Sequence, residues 1–368
     1  MGNSRRIISG LDYLPHQPGQ SVWFLLIATG LLAWLLSTLG LFHFFLWEQV
    51  EYLGNRDVSA WEMVVKLHPH ALRYLLVRPV YWVESHFGVS RNEFYNLLVS
   101  FLLLLLPLYV YFCLIRLGVA KKRTLLVSLL CLLVYVVLGT FMHGRIIWAH
   151  AGILLVITAP LFHAEKFLSA VWFLFQLLVA LLMASVSSGT LLVAYLSVIV
   201  MAGIYSKHSL DIKRIHYARI IPIIVALLVF LPWVIVGTFK NVGFYGGGLE
   251  GVAEMTTSHG TLSTLKACAQ EKCSQHINNG QPPDDRHEKF LETYREYMLF
   301  LSFLPILIFL GLFFYSRRQH LKLNISISWI SMLLTVLIGQ LGYATLTLAI
   351  PLLMLLIAVD PFQNYPRE

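Results

Sequence analysis

Phe141-Met142-His143-Gly144-Arg145-Ile146-Ile147-Trp148-Ala149-His150 is the stretch on which the reading of this chain turns. It separates two long apolar runs, Thr124 to Met142 and Ile146 to Ala164, and neither run contains an Asp, Glu, Lys or Arg. Each run is long enough for a bilayer-crossing helix, so the stretch reads as the tight turn between two of them. Arg145 is then placed at a membrane face. A guanidinium there costs far less than at the bilayer centre yet is only partly hydrated, which suits it to clamp a phosphate through two parallel hydrogen bonds. The alternative is an arginine that snorkels to lipid headgroups.

The same pattern fills the chain. Of its 368 residues 58% are hydrophobic and 12% charged, and the mean hydropathy is +0.72, values far from those of a soluble domain. Charge-free runs fall near residues 22–47, 94–115, 124–142, 146–164, 167–186, 189–206, 220–239, 298–316, 323–340 and 343–359. The expectation is an all-α polytopic membrane protein of about ten transmembrane helices, built as one domain over residues 1–368. The first run has the length of a full span rather than a signal-peptide core, so no cleavage is expected. Ser185-Val186-Ser187-Ser188-Gly189 marks a hairpin inside a run of double length.

The net charge is +8, but the bases stand in short clusters on alternate connections, among them Lys121-Lys122-Arg123 and Arg317-Arg318. Clusters so placed follow the positive-inside rule, which puts them and both termini in the cytoplasm and argues against nucleic acid as a partner. Three features remain outside: a loop over residues 48–93, the turn with Arg145, and a loop over residues 240–297. In the first loop, Val58 to Leu67 places Val58, Trp61, Val64 and Val65 on one helical face, with Glu62 and Lys66 paired on another. It is expected to lie on the membrane surface, with Asp57 either its N-cap or a chemical group. A second short helix is expected from Ala71, ended by Arg78-Pro79.

Cys268 and Cys273 stand close together in the second outer loop, where an oxidising compartment would pair them as a small disulfide. Cys113 and Cys131 lie inside apolar runs and read as core. His68-Pro69-His70 lacks a third ligand at helical spacing, so no metal and no cofactor is expected. His143 and His150 would share a helical face if one helix held both, lining a pocket with Arg145 or simply meeting headgroups. No expected helix carries an ionisable residue away from its ends, which argues against ion-coupled transport. Arginines and histidines beside an acid-bearing amphipathic loop match what a lipid-linked diphosphate needs: cations for the diphosphate, apolar helices for the lipid, and a carboxylate to take a proton.

Arg78-Pro79-Val80-Tyr81-Trp82, then Phe87-Gly88-Val89-Ser90, then Gly144-Arg145-Ile146-Ile147-Trp148-Ala149, resemble segments of the EpsG- and Wzy-type polysaccharide polymerases and of lipid-sugar-dependent glycosyltransferases with the GT-C fold. The resemblance covers residues 48–165. Where that family has an acidic-aromatic pair this chain has Glu51-Tyr52 and Asp57, and in place of a His-Ser pair it has Ser185, Ser187 and Ser188. The resemblance implies transfer or polymerisation of sugars from a polyprenyl-diphosphate carrier, on the outer face of a bacterial inner membrane, for a capsule, exopolysaccharide or O-antigen. Asp57 or Glu51 would then be the base, and Arg73, Arg78, His143, Arg145 and His150 would bind substrate. The partners would be the lipid-linked oligosaccharide, membrane lipid and other polysaccharide-assembly proteins. The rival reading is a non-enzymatic subunit of an envelope-assembly or export complex.

Because so small a ring removes little loop-closure entropy, Cys268 and Cys273 should be paired but dispensable. Mass mapping of non-reduced protein should find the disulfide, and the double serine variant should keep wild-type membrane levels. Two alkylatable thiols would refute the pairing.

Overall fold

The computed structural model describes residues 20–46, 59–68, 70–116, 121–140, 144–162, 167–212 and 217–244. Glu51, Asp57, His143, Cys268, Cys273 and the last three apolar runs lie outside the described residues. Every regular element among the described residues is a helix: α1 (Gln20–Thr38), α2 (Ala60–Val65), α3 (Ala71–Phe87), α4 (Arg91–Arg116), α5 (Lys121–Gly139), α6 (Gly144–Phe162), α7 (Phe167–Ala184), α8 (Ser188–Ile212) and α9 (Tyr217–Phe244). Within α4 and α9, the stretches Arg91–Ile115 and Ile220–Lys240 are long and apolar enough to cross a membrane. The serine cluster does form the turn between α7 and α8, where Thr190 Oγ1 donates to the carbonyls of Ala184 and Ser187 at 2.6 and 3.0 Å.

The first run is not one helix. α1 stops at Thr38, Gly40 adopts φ of 70°, a conformation glycine takes without strain, and residues 42–46 are extended. Phe42, Phe44 and Leu46 are buried while His43 and Phe45 are exposed, the alternation of an extended chain. Asn96 on α4 holds this segment: the Phe44 N–H donates to Asn96 Oδ1 at 2.8 Å, and Asn96 Nδ2 donates to the Phe42 carbonyl at 3.1 Å. An extended stretch makes no hydrogen bonds to itself, so a side-chain amide from the neighbouring helix replaces them.

The loop helices also differ from expectation. Ser59 caps α2, its side chain accepting from the Glu62 N–H at 3.4 Å, and Glu62 pairs with Lys66 one turn on. Met63 is the buried residue of α2, while Trp61 and Val65 are exposed. Pro79 does not end the second helix: α3 runs through it to Phe87. Pro79 itself is exposed, whereas Tyr74, Val77, Val80 and Tyr81 are buried on the other side. That apolar stripe spans the proline, and its packing outweighs the one hydrogen bond the ring removes. Gly88, at φ of 66°, then closes α3 through its N–H on the Glu84 carbonyl. Arg91 ties the end of α3 to the start of α4, donating to both Glu84 oxygens at 3.0 and 2.8 Å.

α6 is the centre of the bundle, in contact with α4, α7 and α8, while α9 packs on α7 and α8 and α1 packs on α4. α4 and α6 run parallel. Gly144 lies against Tyr95 at one level, and the Tyr109 hydroxyl meets Thr158 Oγ1 at 2.6 Å further along. Gln176 of α7 completes the network, donating to Tyr109 at 3.3 Å and to the Leu155 carbonyl at 3.0 Å, so these polar side chains are satisfied within an apolar interior. α6 and α7 approach so closely at Gly152 that a Cβ there would stand 2.6 Å from the Ala184 nitrogen and 2.7 Å from the Ala180 oxygen.

Backbone atoms cannot yield as a flexible side chain would. Gly152→Ala should therefore cost about 1–3 kcal/mol, read as a lowered thermal midpoint in detergent. Gly203→Ala, with nothing within 4 Å, should leave the midpoint unchanged or raise it. Equal midpoints for Gly152→Ala and the parent would refute the close approach.

Candidate functional site

The connections collect one end of each of several helices together. Asn96 near the start of α4 holds the segment after α1, Gly144 at the start of α6 meets Tyr95, Gly237 of α9 lies on Ser188 at the start of α8, and α3 reaches both α7 and α9. The polar chemistry sits at this end. α2 closes through Leu67, whose φ of 50° is unusual for a branched residue, with the His68 N–H on the Met63 carbonyl at 2.9 Å. That reversal directs the chain into His68 and His70.

His68 Nδ1 accepts from the His70 N–H at 3.2 Å, and the two rings lie 5.6 Å apart. Lys240 Nζ stands 3.1 Å from His70 Nε2. An ammonium can only donate, so Nε2 accepts and the His70 proton is on Nδ1. That Nδ1 is buried and has no hydrogen-bond partner among the described residues. Burial, and then the charges of Arg73 and Lys240 and the neighbouring His68, push the His70 imidazole down to about 3. Burial, then Lys240, also lowers His68. Both rings are therefore neutral at physiological pH.

Arg73 stands on the first turn of α3, half-buried, and its Nε donates to the Ser185 carbonyl just past α7 at 3.4 Å. Burial, and then the positive charge of Arg145, push it down to about 10, so it keeps its proton at neutral pH. Arg145 stands on the first turn of α6, and its Nε is buried with no hydrogen-bond partner among the described residues. Tyr95 and Trp148 lie beside it. Gly144 makes room for that tyrosine, since a Cβ at 144 would stand 2.8 Å from its hydroxyl. Arg73 thus lies within electrostatic reach of Arg145 and of Lys240.

Arg78 and His150 are placed otherwise. Arg78 is five residues beyond Arg73, about 140° further round the helix. It is exposed, donating from Nη1 to the Tyr74 hydroxyl at 2.9 Å with its guanidinium 5.7 Å from that ring. His150 is displaced from Arg145 by the same angle on α6. It is buried against α5, where the Tyr135 hydroxyl lies 3.3 Å from Nδ1. Lys240 and the Ser185 carbonyl were not singled out from sequence. For Lys240 the available signal was its position at the end of a charge-free run on the same side as Arg145. A carbonyl has no sequence signal at all.

Three cations and an imidazole N–H are gathered at one end of the bundle. Burial of His70, and then these cations, also make the site sensitive to acid. Between pH 6.5 and about 3 the unfolded chain binds a proton at position 70 that the folded chain refuses, so stability falls as pH falls through that window. His70→Gln should flatten the dependence of the thermal midpoint on pH between 6.5 and 4.5, by up to one proton's worth of slope. An unchanged slope would show that His70 takes up its proton freely. Comparison of the chain with protein-family models, with curated proteins and with solved structures finds no match.

Proposed function

We propose that this chain is a polytopic inner-membrane enzyme of bacteria, with about ten transmembrane helices and both termini cytoplasmic, that transfers or polymerises sugars from a polyprenyl-diphosphate carrier on the outer face. Support for the membrane reading comes from the outer surfaces of the helices. Phe24, Ile27 and Leu31 on α1, Leu126 and Leu133 on α5, and Leu228 on α9 are exposed by more than half, which in water would be a very large apolar patch.

The observation that carries the chemistry is that Arg73 lies within electrostatic reach of both Arg145 and Lys240, the three standing on helices remote in sequence. In this reading the two guanidiniums grip the diphosphate and stabilise it as it leaves. Lys240 adds a third charge, and the N-terminal turn of α6 presents backbone N–H groups to the same anion. The carboxylate that activates the acceptor hydroxyl is Asp57 or Glu51. A docking subunit would spread its charges over an exposed rim, as Glu62, Lys66 and Arg78 are spread here, so the closeness of Arg73 to Arg145 is what favours the enzyme.

Arg145→Lys should impair polymer production almost as much as Arg145→Ala, each by tenfold or more, because a point-charge ammonium cannot copy a bidentate fork. The measurement is complementation of a strain lacking the gene, with membrane levels followed by blot. Full activity of the lysine variant would mean that Arg145 only meets headgroups, and the catalytic reading would fail with it.

A further inference from the structure

A cavity of about 370 Å³ opens between α1, α4 and α5, toward the end of the bundle opposite the arginines. Leu25, Leu32, Leu104, Pro107 and Leu129 make apolar walls, and Ser128 is among the few polar residues lining it. Leu25 and Leu129 are exposed on the outer side of the bundle, so the cavity opens sideways onto the same apolar surface that carries Phe24 and Leu31. Two further observations say what fits it. Ser128 Oγ is buried and has no hydrogen-bond partner among the described residues. On the same helix, seven and six residues earlier, Lys121 and Lys122 begin α5 and are exposed.

We infer that this is a binding site for an anionic phospholipid, with one acyl chain in the cavity and the phosphate on Lys121 and Lys122. The dimensions agree. Ser128 lies about 9 Å along the helix from Lys122, comparable with the depth of one headgroup layer, roughly 5–8 Å. The hydroxyl therefore stands near the level of the ester carbonyls and can donate to one. The cavity takes a hydrocarbon chain because nearly all of its wall is apolar, and the paired lysines favour a net negative headgroup over a zwitterion. The inference rests on the membrane reading above and is independent of sugar transfer.

The test uses the purified full chain in neutral detergent, incubated with equimolar phosphatidylglycerol and phosphatidylcholine and weighed by native mass spectrometry. One phosphatidylglycerol should be retained in preference, and Lys121→Gln with Lys122→Gln should lower that preference by about fivefold per lysine without reducing total bound lipid. Ala28→Trp, which places an indole in the cavity from the exposed side of α1, should abolish retention of both lipids. Should that variant not fold, a diazirine-tagged phosphatidylglycerol on the wild-type chain decides, with adducts expected within residues 25–32, 104–111 and 125–132. Equal retention of the two lipids, lipid persisting in folded Ala28→Trp, or adducts elsewhere would overturn the site. Because none of these readouts measures polymer, failure of the lipid site and failure of the glycosyltransferase reading are separate results.

Discussion

Two guanidinium groups that repel one another are held at the same end of an apolar bundle, and much of the local structure exists to make that tenable. Burying a cation removes hydration, and a second cation nearby adds to the cost. The fold offsets part of this on the Arg73 side. Its Nε reaches the Ser185 carbonyl, at the end of α7 where unpaired carbonyls give the helix its negative pole. On the Arg145 side the position is the reverse, since the start of α6 is a positive pole. Positive charge is thus concentrated at this end, with little on the Arg145 side to offset it.

The imidazole beside them obeys the same constraint from the other direction. Burial, and then the charges of Arg73 and Lys240, keep His70 neutral, so it accepts from the lysine through Nε2 and carries its N–H on Nδ1. A neutral histidine among cations supplies hydrogen bonding without adding repulsion. That role depends on Leu67, whose left-handed backbone turns the chain from α2 into the histidines. Strain of this kind persists only where its surroundings enforce it, and here the contacts of α2 and α3 do so.

Precision at the mouth depends on rigidity below it. α6 carries Arg145, and its position is set by a backbone-to-backbone approach to α7 at Gly152 and by the Tyr109, Thr158 and Gln176 hydrogen bonds that cross three helices. Between apolar helices there is little hydrophobic preference for one arrangement over another when lipid is the solvent, so small residues and polar contacts select the packing. The space between α1, α4 and α5 is walled mainly by leucines, away from the Ser37–Ser100 hydrogen bond that joins α1 to α4.

Much was already legible in residue order. Absence of charge over long runs predicts a helix in an apolar surrounding whatever its neighbours are, and seven such runs correspond to α1 and α4 through α9. The serine turn, the Glu62–Lys66 pair and the placement of Arg145 at a helix start are local consequences of composition and spacing. What only the tertiary structure decided was everything that depends on a partner remote in sequence. Asn96 holds the extended segment that follows α1 by its backbone, and a buried stripe carries α3 through a proline that would stop an isolated helix. The site divides in the same way. The sequence put Arg145 first, as the one charge between two charge-free runs, and set Arg73, Arg78, His143 and His150 beside it as substrate-binding candidates. Helical phase and packing then put Arg73 with Arg145, turned Arg78 onto Tyr74, buried His150 against Tyr135, and brought in Lys240 from a helix that sequence proximity could never have associated with them.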